Sequence, residues 1–221
     1  MSKLYQYIAL SLLASVAGVF VGLLFIPASV IAVANIIFLV LMLVLLIGAW
    51  ILKIVRKNNG GHLRFPIWAV YLFAFAYGAM MYPVLVYYLA SLGVVLFFEI
   101  VIGTMVVFAV LAFIAQKKES GSFVGLSGIL LVILTVMAVL SVLNLFLRVD
   151  MLSLILSALG IAVFSAYILF DVNQFKTEFE SGTIIDSSDY SIHVLNVYLD
   201  IINLLLDILD VVDWVADIFG D

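Results

Sequence analysis

The chain has 221 residues, 67% of them hydrophobic and only 10% charged, a balance that excludes an ordinary soluble domain and requires a lipid bilayer. With no cysteine and two histidines it lacks the material for a disulfide framework, a thiolate metal site or a multi-histidine zinc centre. Its net charge of −5 gathers toward the C-terminus, and no basic arm or patch points to nucleic acid as a partner.

A helix crosses hydrocarbon with about 20 apolar residues. The sequence therefore predicts an all-α membrane protein, a seven-helix bundle in one transmembrane domain over 1–221, with helices near 4–26, 30–52, 65–89, 93–115, 123–147, 151–173 and 190–216. The first imitates a signal peptide, with Lys3 ahead of an apolar run and the small residues Ala14-Ser-Val-Ala17. Its apolar run continues to Ile26, too far for a signal sequence, so it reads as a retained helix. Gly18-x-x-x-Gly22 on this helix, and Gly121-x-x-x-Gly125 at the entrance to the fifth, predict close helix approach. On the third, Tyr71, Tyr77, Tyr82, Tyr87 and Tyr88 read as interfacial anchors and core. Glu99, inside the fourth, is expected to face the bundle interior, either as a pathway residue or as a protonated acid on a backbone carbonyl.

Lys3, Lys53, Arg56, Lys57, Arg64, Lys117, Lys118 and Lys176 fall on one side of this threading and Arg148 alone on the other. The positive-inside rule then places the N-terminus and the loops 53–64, 116–122 and 174–189 in the cytoplasm, and an odd number of spans places the C-terminus outside.

Two aspartates stand where they are least tolerated. Asp171 closes the apolar run of the sixth helix and Asp200 lies within the seventh, at a cost of about 2.5–3.5 kcal/mol for each anion near the bilayer centre. On the seventh helix His193, Asn196, Asp200, Asn203, Asp207 and Asp210 recur at spacings of three and four, which keeps them on one face. Such a stripe must face protein or water, so this helix is expected to be enclosed by the others and to line a hydrated path of Asn196, Asn203, Asp207 and Asp210, with Glu99 beside it. The rival reading is an amphipathic helix lying on the membrane surface, which an acidic face repelled by anionic headgroups disfavours.

The sixth and seventh helices are antiparallel, so Asp171 and Asp200 can reach one level. Two carboxyls in low dielectric share a proton and titrate nearer neutrality than the usual carboxylate. Once deprotonated they repel each other and offer oxygens to a hard cation, giving a weak Ca2+ site suited to passage rather than storage. Lys53, Arg56 and Lys57 lie at about the depth of Asp171 and are candidates for a latch that closes the path by ion pairing. No tightly bound cofactor is expected, only Ca2+ as permeant ion, with H+ and the lipid bilayer as the other partners; the sequence does not identify protein partners.

The runs Phe164-Ser-Ala-Tyr-Ile-Leu-Phe-Asp171-Val-Asn-Gln and Val197-Tyr-Leu-Asp200-Ile-Ile-Asn-Leu-Leu resemble the two signatures of the transmembrane BAX inhibitor motif family. Tyr71-Leu-Phe-Ala-Phe-Ala-Tyr-Gly78 with Tyr82-Pro83, and Glu99 with Gly103-Thr-Met-Val-Val-Phe-Ala-Val-Leu, are similar to its third and fourth helices. The resemblance covers about residues 65–210. It implies a seven-helix fold with the last helix central and a pH-sensitive calcium leak controlled by a di-aspartyl pair, here Asp171 and Asp200. The short chain looks like a prokaryotic member, which implies a location in the plasma (inner) membrane. The acidic residues Asp207, Asp210, Asp213, Asp217 and Asp221 depart from the apolar or basic C-termini common in the family.

Other readings fit less well. An intramembrane aspartyl protease would need a Gly-x-Gly before its second aspartate, and Tyr198-Leu-Asp200 lacks one. A rhomboid-like serine protease rests on Gly125-Leu-Ser127-Gly128 alone, and a retinal protein needs a lysine that the seventh helix does not have. No enzymatic activity is expected. A non-transporting scaffold that regulates membrane partners is the main alternative.

Overall fold

The computed structural model describes residues 1–27, 30 and 65–219. The predicted second helix, 30–52, and the loop residues Lys53, Arg56, Lys57 and Arg64 lie outside the described residues apart from residue 30, as does Asp221. Among the described residues five helices are long and apolar enough to cross a membrane: α1 (Ser2–Phe25), α2 (Ile67–Lys117), α3 (Ser127–Leu147), α4 (Asp150–Glu180) and α5 (Ser187–Phe219). A single 3-10 turn, Val124–Leu126, precedes α3.

At ~1.5 Å per residue α2 is far longer than a bilayer is thick. It is broken at Gly93, whose φ of 76° and ψ of 164° belong to backbone that only glycine adopts without strain. Its two ends come together, since Val70 and Ala115 share one buried cluster with Leu4. Two expected helices, 65–89 and 93–115, are thus realised as one helical hairpin reversing through a single residue.

α1 packs along the first half of α2 through small residues. A Cβ at Gly18 would overlap the Phe75 carbonyl, and one at Gly78 would overlap the Ser15 carbonyl. The predicted approach at Gly18-x-x-x-Gly22 is present; that at Gly121-x-x-x-Gly125 is not. Gly121 turns the chain with φ +82°, and Gly125 has open space about its α-carbon, because the chain there is still leaving a loop rather than crossing another helix.

α5 is the centre. Of its most apolar 18-residue stretch 56% is buried, against 11–28% for the other helices, and its residues join clusters with α1, both halves of α2 and α4. α3 packs outermost, with Met137 against Leu156 and Val163 of α4. The stretch 174–180, expected as loop, instead continues α4 to Glu180. Gln174 bonds Glu178 at 3.0 Å and Lys176 meets Glu180 at 3.8 Å, both one turn apart, and Gly182 at φ +75° ends the helix.

The described lysines Lys3, Lys117, Lys118 and Lys176 sit at one end of the molecule, where Gln116 reaches Tyr5 and Tyr7 packs edge-on to Tyr190. Arg148 lies at the α3–α4 turn, away from that end. The far end of α5 meets the α2 reversal, where Asp213 accepts from Tyr87 and Ser91.

Candidate functional site

α4 and α5 run antiparallel in a register marked by polar pairs. His193 Nε2 lies 3.1 Å from Glu178 Oε2 at the lysine-bearing end. Two turns further in, Asp171 lies close enough to Asp200 and Asn196 for their side chains to interact, with His193 also near it. Further out again, Ser157 Oγ donates to Asp210 Oδ2 at 2.7 Å. Each step down α4 is matched by a step up α5. That is how two residues 29 apart in sequence come to one level.

Asp171 is 4% exposed and Asp200 6%. Ile168, Val172, Val197 and Ile201, within a turn of them along the two helices, are all fully buried in one apolar cluster. Asp200 Oδ2 is buried and receives no donor from the described residues. Tyr167, one turn before Asp171, stands close enough to both carboxyls to interact with them.

Outward from this pair the stripe continues as an acidic column. Asp207 lies against α4 at Gly160, where a Cβ would overlap its carboxyl group. Absence of a side chain at Gly160 is what lets a carboxylate enter the helix interface. Asp210 accepts from Tyr88 Oη at 3.1 Å as well as from Ser157, and Asp213 from Tyr87 Oη at 3.1 Å. Asn203 lies half-buried on the same face.

The predicted residues Asp171, Asp200, Asn196, Asn203, Asp207 and Asp210 thus form one line along α5 and its contacts. Glu99 does not join them. It is exposed, because Phe97, Ile100 and Thr104 form the buried face of that half of α2 and Glu99 points the other way. A carboxylate on the outer face so near the reversal at Gly93 can extend toward the interface, as long charged side chains do. The latch candidates Lys53, Arg56 and Lys57 lie outside the described residues.

Sequence reasoning missed the donors. Tyr87 and Tyr88 read as anchors, yet their hydroxyls serve the acidic column. Glu178 read as loop, although it follows Asp171 by seven residues as Asp200 follows His193, a two-turn match that marks paired helix faces. Among the described residues no group of three or more histidine, aspartate or glutamate side chains is arranged to hold a metal ion.

A protein-family profile described as "Inhibitor of apoptosis-promoting Bax1" matches residues 1–214. An uncharacterized protein of Campylobacter jejuni is 30% identical over 211 residues, 94% of this chain and 84% of that one. Bax inhibitor 1 of Drosophila melanogaster is 24% identical over 148 residues, 67% of this chain and 58% of the fly protein.

Proposed function

This chain belongs to the Bax inhibitor family of multi-pass membrane proteins, and on that premise we propose that it is a pH-sensitive calcium leak, gated by a proton shared between Asp171 and Asp200. The observation that carries the reading is the meeting of two carboxyl groups, each more than nine-tenths buried, on neighbouring antiparallel helices. An ionised carboxylate only accepts hydrogen bonds, so two of them in contact hold a proton between them. Losing it leaves two anions that repel, and their oxygens suit a hard cation.

Two carboxyls and the Asn196 amide offer fewer oxygens than the six to eight Ca2+ takes when tightly held. The ion is therefore bound weakly, with water completing its shell, and leaves as readily as it arrives. Asp207, Asp210 and Asp213 extend the acidic column to the far end of α5, which supports a path for cations rather than anions. The reading makes the protein a transporter and not an enzyme, with seven spans, a cytoplasmic N-terminus and an outer C-terminus in the plasma membrane. Lys53, Arg56 and Lys57 keep their place in it as latch candidates, on charge placement alone.

The test is calcium flux into liposomes containing only this protein. Flux should be low near pH 5 and rise toward about pH 8, as the shared proton is lost. Folded protein that passes no calcium at any pH in this range would favour a scaffold acting on membrane partners.

A further inference from the structure

Asp171 faces α5, while Asn173 and Lys176 leave α4 on the opposite side, two and five residues on. Both reach the lysine-bearing end of α2. Asn173, 1% exposed, donates through Nδ2 to the carbonyls of Ala115 at 3.1 Å and Glu119 at 3.0 Å. Lys176 donates through Nζ to the carbonyls of Gln116 at 3.0 Å and Lys118 at 2.8 Å. A helix that ends at Lys117 leaves its last carbonyls without partners inside the helix, and those of Ala115, Gln116 and Lys118 are of this kind. One face of α4 therefore caps the end of α2.

The amide of Asn173 is committed to that task. Its Oδ1 is buried and receives no donor from the described residues, so the hydrogen bonds that hold the side chain there are those of its amide hydrogens. Lys176 is held in place by Glu180, one turn on. The cap begins two residues beyond Asp171, and any outward movement of that part of α4 must break it or carry α2 along.

We propose that Asn173, seconded by Lys176, is a positioning residue for Asp171: it locks the ends of α2 and α4 into one unit, and so holds the Asp171 carboxyl at the level of Asp200. Among the described residues, the groups that interact with Asp171 are Asp200, Asn196 and His193 from α5 and Tyr167 from α4, with Glu178 paired to His193. Asn173 and Lys176 spend their donors on backbone carbonyls of the α2 end, so the clamp acts on position. Its consequence for gating rests on the calcium-leak reading; the mechanical lock does not.

The absence of cysteine allows clean labelling. Spin labels at Lys118→Cys and Phe179→Cys, both exposed sites at the two helix ends, should give one narrow distance that stays constant with pH. Asn173→Leu should broaden it. In liposomes the same substitution should move the pH midpoint of calcium flux to lower pH by ~0.5 unit or more, because a carboxyl free to drift from its partner holds the shared proton less well. Lys176→Arg should behave as wild type and Lys176→Met should shift in the same direction by less. Val132→Gly, which weakens the outermost helix at a lipid-facing site, should lower thermal stability without moving the midpoint.

Folded Asn173→Leu with the wild-type distance and midpoint overturns the proposal. If that variant does not fold, Lys176→Met carries both readouts, and an unchanged distance and midpoint there overturns it. Wild-type protein that passes no calcium ends the leak reading alone. The lock is then upheld by a broadened distance and overturned by an unchanged one.

Discussion

At the scale of single residues, the carboxyl pair has one chemical freedom, the proton between Asp171 and Asp200. In the leak we propose, protonation removes their repulsion and favours the closed arrangement, and deprotonation favours opening. Asp171→Asn or Asp200→Asn replaces an acid by an amide of the same shape, so each should flatten the pH response of calcium flux while leaving a folded protein. Asp217→Asn, at an exposed position, should leave the midpoint where it is. An unchanged midpoint in both inner variants would remove the pair from the gate. Gly160 makes a second case. Its replacement by alanine puts a Cβ into the Asp207 carboxyl and should cost about 1–3 kcal/mol, with much of the loss recovered when Asp207→Ala is added. Thermal unfolding of the four proteins in detergent measures that coupling, and additive losses would mean the contact is relieved elsewhere. The two aspartates were legible in the sequence because a charge inside an apolar run has few explanations. Gly160 was not, since nothing in a helical glycine says which residue of another helix will lie against it.

At the scale of elements, α1 and the first half of α2 touch backbone to backbone. Gly18→Ala and Gly78→Ala each drive a methyl into a carbonyl that cannot swing aside, so both should lower the unfolding temperature. Gly103 has open space around it, and Gly103→Ala there should stabilise by about 0.5–1 kcal/mol through the lost freedom of glycine in a helix. Equal effects at the three sites would contradict the close packing of α1. Helix centres were readable from apolar runs, and helix ends were not. α4 outlasts its apolar run by two turns because Gln174–Glu178, Lys176–Glu180 and the cap on α2 satisfy a polar helix beyond the hydrocarbon, and hydropathy carries no trace of such bonds.

At the scale of the molecule, the N-terminus lies with the described lysines and α5 ends beside the α2 reversal at the other end. The topology we propose puts the chain ends on opposite faces of a membrane. A tag fused beyond the C-terminus should be labelled in intact cells by an impermeant reagent, whereas one ahead of Met1 should react only after permeabilisation. Labelling of both tags in the same state would mean that the bundle does not cross as a unit.

What the sequence determined by itself was the solvent and the stripe. Long apolar runs have no stable home but lipid, and an acidic face at helical spacing is turned inward, so the class of protein, most of the described spans and the burial of Asp171 and Asp200 followed from hydration energy alone. Tertiary structure decided partners and depth. The register of α4 on α5 brings Glu178 to His193, Asn196 to Asp171 and Ser157 to Asp210, the rotation of α2 turns Glu99 away from the bundle and Tyr88 toward it, and both depend on how side chains of different helices interlock. Periodicity fixes which residues share a face of one helix, but contact between two helices is set by the shapes of both surfaces together, which no single run of sequence contains.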